Sequence, residues 1–556
     1  MIQLQNLETE LPKPLPTSEW KHEVDGILVR YEAAPALSYG DERLRPIFGG
    51  ITTLTYYGED LGQKLLDQRI PPGSRLLGSS IGEACEGGAG AAMPAASDPL
   101  SRSLENPSRP AFQFVWVPTP LAGRLLADDA RCDDRGTPLG NNPQDHFCMF
   151  ARLAMQPGVG HPLTMVVHGM FDSSAQDYVQ RMGAILYAQG HSVLLPDMRD
   201  HGDTFRANPQ VPTSLGTLEG GDLRHLARVM RTSCGSRVST IGGVGVSGGG
   251  LAMIRAQSMD IAGEFDGGVI AISPLIDVDA TLDNLSVGNT CPEAEAIEIT
   301  WQEYGALTGV FALAAGGGAA LAQGLSADPV DEKTAIAAGV GALAGLTIAA
   351  IGDAIFDGDS ALSNNCVARS SVASLFLEML QERWRTLQAQ PQVAALSEDA
   401  QRVAPAKVTL NEYLKLRSEP FYAQLGKSMR HYNASWLAYE LRALPQGPGR
   451  LLVLGAADDP VTLEPALVEL QGLVHHLKNV HVRAVEHGGH GAMWVVQQSL
   501  MERLFDRFFV KPPPQAPPTK RIQGDLATPA APSSPATPNA STLQRLEVRN
   551  LTADDT

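Results

Sequence analysis

The sequence predicts an α/β fold with a mostly parallel central sheet, helices on both faces and a large helical insertion. Three observations predict it. From about residue 162, short apolar runs alternate with helix-compatible stretches, which is the signature of parallel strands joined by crossover helices. One such run ends directly in Gly245-Val246-Ser247-Gly248-Gly249, and two more come only after a stretch of mainly helical composition at roughly 284–440.

Residues 1 to about 105 read as irregular, with short apolar runs such as Gly26-Ile27-Leu28-Val29 and a small-residue stretch near Gly87–Ala96; no function is assigned to them. Phe112–Pro118 and Phe147–Met155 carry the aromatic and branched residues that suit a pleated surface, and are expected to open the sheet in antiparallel fashion. Leu163–Val167 then reads as a buried strand running into His168-Gly169. His191–Leu195, Val238–Val246 and Gly268–Ile272 follow, and Leu451–Gly455 and His481–Val485 come late. These elements divide the chain into an extension at 1–105, a core in two parts at 106–283 and 441–511, a helical lid inserted at 284–440, and a tail at 512–556. The tail is rich in Pro, Ala, Ser and Thr and is expected to be disordered, because it has little to bury.

Composition narrows the function. With 61 acidic against 43 basic residues and a formal charge of −18, the chain repels phosphate backbones and anionic headgroups, so nucleic acid is excluded as a first expectation. The six cysteines form no CxxC pair and no zinc-ligand spacing; no metal or cofactor is expected, and the thiols are expected to be free. The first residues carry acids and prolines and no apolar h-region, so a cytoplasmic protein is expected, with export lacking a cleavable signal as the alternative.

The chemistry lies in three places. Gly245–Gly249 fits G-x-S-x-G between a strand and a helix. A sharp turn there strains the serine backbone and exposes its hydroxyl, and glycines at 245 and 249 remove side chains that would collide with the turn. A serine alcohol needs a general base, and the base needs a carboxylate to orient it, in the chain order Ser, Asp or Glu, His. His487-Gly488-Gly489-His490-Gly491 follows the last strand, and His490 is the expected base, with His487 capping or packing beside it. Asp458-Asp459-Pro460 follows the preceding strand, and both aspartates are candidates: counting from the strand-end glycine favours Asp458, and reading Asp-Pro-Val as a turn favours Asp459. The aspartate not used is expected to cap the turn or the helix beginning near Leu463. Two N–H donors are needed for the oxyanion, and Gly248 and Met170 are the expected pair.

In this order the motifs resemble those of YheT-like α/β hydrolases, relatives of the membrane-associated abhydrolase-domain esterases and lipases. The resemblance rests on His168-Gly169-Met170, Arg199-Asp200-His201-Gly202-Asp203, Gly245–Gly249, Ser273-Pro274-Leu275-Ile276-Asp277 with Thr281-Leu282, Asp458-Asp459-Pro460 and Gly488-Gly489-His490. It covers roughly 160–283 and 440–510. It implies the α/β-hydrolase fold, cofactor-free hydrolysis of acyl or lipid esters, and Asp459 as the acid; the Arg199–Asp203 loop then reads as structural. Gly248 departs from the larger residue frequent after the nucleophile.

Within the insertion, Gly305–Ala327 and Thr334–Gly352 are uncharged Gly/Ala-rich runs of near-spanning length, with small-xxx-small spacing. Gly and Ala give little insertion energy and a charged turn separates the runs, so a soluble hairpin is expected, with membrane contact through 305–352 as the alternative. The expected partner is a small-molecule or lipid ester. Two competing functions remain: acyl transfer by the same three residues, and a membrane-associating effector or binding protein that keeps a hydrolase scaffold.

Overall fold

The computed structural model describes residues 19–32, 81–86, 110–287, 380–388, 410–424, 428, 432–442 and 449–509, apart from 111, 122, 123, 382, 386, 460, 487 and 492–497. The Gly/Ala-rich hairpin at 305–352, the stretch near Gly87–Ala96, His487 and the tail at 512–556 lie outside the described residues.

Among the described residues eight strands form one sheet: β1 (Gln113–Pro120), β2 (His146–Ala154), β3 (His161–Val167), β4 (Ser192–Pro196), β5 (Val238–Val246), β6 (Gly268–Ile272), β7 (Leu451–Ala456) and β8 (Val480–Val485). Their order across the sheet is β1-β2-β4-β3-β5-β6-β7-β8. β2 pairs antiparallel with both β1 and β4, and every other neighbouring pair is parallel. This strand order, with the second strand reversed and a serine turn at the end of the fifth, is the α/β-hydrolase fold. β5 and β6 have the ends expected from the sequence, and the other strands differ from expectation by a residue or two, as strand ends commonly do.

Alternating side chains divide the core between two faces of the sheet. Leu163, Met165 and Val167 of β3, Val269 and Ala271 of β6, and Leu451 and Val453 of β7 join one buried cluster. Val166, Ile270, Ile272, Leu452 and Leu454 join another on the opposite face. Both faces are covered by helices, which is why these strands read as continuous apolar runs.

Helices among the described residues include α1 (Glu19–Glu32), α2 (Ile81–Cys85), α3 (Asp177–Ala188), α4 (Gly202–Ala207), α5 (Thr217–Cys234), α6 (Gly248–Ser258), α7 (Val278–Val287), α8 (Leu410–Arg417), α9 (Glu419–Gln424), α10 (Ala434–Arg442), α11 (Glu464–Val474) and α12 (Gln498–Phe508). Residues from α5, α6, α10 and α11 fill the first cluster, and residues from α1, α3 and α12 fill the second. Among the described residues, no helix is long and apolar enough to cross a membrane.

Two sequence expectations need correction. The extension at 1–105 is not wholly irregular: α1 buries Trp20, Val24, Ile27 and Leu28, with the Trp20 ring edge-on to Phe508 of α12 at 5.6 Å between centroids. Gly26–Val29, which lacks a clear period by itself, becomes helical because α12 supplies the apolar surface that its inward residues need. Nor are the thiols free. Cys85 is bonded to Cys234 and Cys132 to Cys148, and no cysteine among the described residues is unpaired; Cys291 and Cys366 lie outside them. The pairing escaped the sequence because the partners stand 149 and 16 residues apart, in no recurrent spacing.

Candidate active site

Ser247 sits between β5 and α6 at φ 54° and ψ −120°, a strained conformation for a residue with a side chain. The turn is held from both sides. A Cβ on Gly245 would come within 2.3 Å of the Gly249 carbonyl oxygen, and one on Gly249 within 2.2 Å of the His168 carbonyl oxygen. Neither position admits a side chain without moving backbone, which is the physical content of the G-x-S-x-G string. The Ser247 N–H donates to the Ile272 carbonyl of β6 at 2.9 Å, fixing the turn to the sheet.

The structure brings the expected residues together. His490 Nε2 lies 2.8 Å from Ser247 Oγ across 243 residues of chain. On the other side of the ring, Nδ1 lies 3.0 and 3.1 Å from the two carboxylate oxygens of Asp459. These partners assign the proton to Nδ1, leaving Nε2 as the acceptor for the serine O–H. Asp459 is itself fixed: its Oδ1 accepts the N–H of Val461 at 2.8 Å and of Thr462 at 2.9 Å. His490 is fully buried and Ser247 nearly so, so little water competes for these contacts.

Asp458 does something other than the turn or helix capping expected of the spare aspartate. Its Oδ1 accepts the N–H of Gly489 at 2.8 Å, one residue before His490. Its other oxygen is buried with no hydrogen-bond partner. Burial pushes the carboxyl up to about 7, with the neighbouring Asp459 charge adding to the shift against the backbone N–H groups that lower it.

The two backbone donors expected for an oxyanion stand side by side. A Cβ on Gly248 would lie 3.3 Å from the Met170 nitrogen, so α6 begins against the loop after β3. Sequence reasoning missed what braces that loop. Tyr178 Oη accepts the Gly169 N–H at 2.6 Å and donates to Asp172 at 2.8 Å. His168 accepts the Met198 N–H on Nε2, and its Nδ1 donates to the Gly169 carbonyl at 2.7 Å. Burial drives His168 down to about 3, so it is a neutral structural ring. Ser273, for which the sequence offered only membership of a motif, joins the two loops of the site: its Oγ accepts the Gly491 N–H at 3.0 Å and its carbonyl accepts the Thr462 hydroxyl at 3.2 Å. No sequence signal marks Tyr178 or Asp458 for these tasks.

The Arg199–Asp203 loop ties the core to residues of the insertion. Arg199 holds Asp222 through Nε and Nη2 at 2.6 Å each, and Asp200 accepts from both Tyr413 and Arg417 of α8. Among the described residues, no group of three His, Cys, Asp or Glu side chains could hold a metal ion.

Solved structures similar to this chain include esterases and peptidases. An esterase of Pyrococcus furiosus is 12% identical with a TM-score of 0.36, covering 75% of this chain and 97% of that one. The esterase Est1E of Butyrivibrio proteoclasticus is 13% identical, with a TM-score of 0.27 and coverage of 65% and 94%. An acylaminoacyl peptidase of Pyrococcus horikoshii is 10% identical, with a TM-score of 0.32 and coverage of 73% and 41%. No protein-family model and no curated protein matches the sequence. The fold assignment therefore stands on strand order and the serine turn.

Proposed function

We propose that the chain is a serine hydrolase that cleaves carboxylic esters through an acyl-serine intermediate. The observation that carries the reading is the contact of Ser247 Oγ with His490 Nε2 at 2.8 Å, with Asp459 on the far side of the ring. In this mechanism His490 removes the Ser247 proton as Oγ attacks the ester carbonyl carbon. Asp459 stabilises the imidazolium that results. The Gly248 and Met170 N–H groups receive the charge that builds on the carbonyl oxygen. His490 then gives its proton to the leaving alkoxide, and water attacks the acyl-serine by the same route in reverse.

Carboxylic esters are favoured over amides by the sequence motifs shared with YheT-like hydrolases, a likeness that no family-level match extends. The two disulfides among the described residues support an oxidising compartment as the place of action, in place of the cytoplasm that the N-terminal sequence suggested. The test is hydrolysis of 4-nitrophenyl acyl esters by the full chain and by Ser247→Ala. The variant is expected to lose about 10⁶-fold in kcat, the loss typical of removing a nucleophile from such a site. Undiminished turnover by that variant would rule the reading out.

A further inference from the structure

Arg383 is a buried cation that has no carboxylate partner among the described residues. The segment 380–388 is helical where described, and Leu380, Trp384 and Leu387, at helical spacing, are buried in the core. Arg383 is carried inward with them and is only 9% exposed. Its guanidinium carbon lies 4.7 Å from the ring centroid of Phe205 and 5.5 Å from that of Phe171. Phe171 directly follows Met170, one of the two expected N–H donors, and the Arg383 charge also acts on His168 of the same loop, so Arg383 packs against the loop that carries that donor.

Two of its donor atoms, Nε and Nη2, are buried and donate to nothing. The carboxylate of Asp200, which like Arg383 acts on Tyr413, is already taken by Arg417 and Tyr413. The nearby imidazoles of His168 and His201 offer no compensation, being held neutral by burial with the Arg383 charge pressing the same way. His201 Nε2 is likewise buried without a partner. The two aromatic faces offset only part of the cost of desolvating a guanidinium.

The protein shows elsewhere what such an arginine edge takes. Arg199 uses the same two atoms, Nε and Nη2, to hold both oxygens of Asp222. On Arg383 that edge is buried without a partner, and it matches a carboxylate in geometry and charge. Resting on the ester-hydrolase reading above, we propose that Arg383 binds a carboxylate carried by the substrate, so that the preferred substrates are esters bearing a second, free carboxylate on the acyl or the alcohol side.

Two matched pairs of esters test this. Mono-4-nitrophenyl adipate against 4-nitrophenyl hexanoate probes the acyl side, and 4-(hexanoyloxy)butanoate against butyl hexanoate probes the alcohol side. The full chain is expected to prefer the charged member of at least one pair by about tenfold or more in kcat/KM, the size of a charge-assisted hydrogen bond, and Arg383→Gln to abolish that preference. Equal rates within both pairs, or a variant that slows both members of each pair alike, would make Arg383 a structural prop and overturn the proposal. If no ester is turned over and Ser247 takes no fluorophosphonate label, the hydrolase reading fails first. Calorimetry of adipate binding to the Ser247→Ala protein then decides the matter for Arg383, as it does if Arg383→Gln fails to fold: measurable binding upholds the carboxylate site, and no binding overturns it.

Discussion

At the level of single residues, the adjacent aspartates show how environment divides two identical side chains. Asp459 accepts two backbone N–H groups and faces the imidazole. Asp458 is buried, with one oxygen that has no partner and a negative neighbour, and burial pushes its carboxyl up to about 7 in spite of the backbone N–H groups beside it. In the unfolded chain it would ionise near 4, so between about pH 4 and 7 the folded state holds a proton that the unfolded state has lost. Stability therefore falls as pH rises through that window. Asp458→Asn keeps an oxygen for Gly489 and removes the titration. Its melting temperature is expected to change less between pH 5 and 8 than that of the unmodified chain, and identical pH slopes would contradict the assignment. The sequence made both aspartates candidates, because spacing alone does not tell which carboxylate turns toward a ring 31 residues away.

At the level of elements, what was legible followed local pattern and what was hidden depended on distant partners. β5 and β6 could be read to their last residues, because a buried parallel strand is a continuous apolar run ending in a turn. The serine turn was legible for a steric reason that the structure makes explicit at Gly245 and Gly249. α1 was not, because its inward face is specified by α12, nearly five hundred residues later in the chain. This helix should be anchored chiefly by Trp20, which is 1% exposed and edge-on to both Phe508 and His481. Trp20→Ala is expected to cost about 3–5 kcal/mol in unfolding free energy measured by denaturant titration. A loss below about 1 kcal/mol would mean that α1 is not docked as described.

For the molecule as a whole, the disulfides and the contacts of the insertion matter most. Cys85–Cys234 fixes α2 to the end of α5, and Cys132–Cys148 fastens the two-stranded ribbon Arg131–Cys132 and Pro138–Leu139 to β2. Cross-links of this kind act largely by restricting the unfolded chain, and losing a native one costs about 2–5 kcal/mol. Reduction is therefore expected to lower the melting temperature by several degrees, and non-reducing peptide mapping is expected to recover both pairs. Free thiols at Cys85 or Cys132 in the natively produced protein would remove the support for an oxidising compartment. Asp200, at the base of the Arg199–Asp203 loop, reaches Tyr413 and Arg417 across more than two hundred residues. Part of the chain between β6 and β7 is thus locked to that loop, for which the sequence suggested only a structural role.

The most direct measurement is the position of a covalent label. The full chain, treated with a fluorophosphonate and digested, is expected to carry the adduct on Ser247 alone, and His490→Ala is expected to label far more slowly because the hydroxyl has lost its base. A folded protein that takes no label, or takes it on another residue with Ser247 unmodified, would contradict the account.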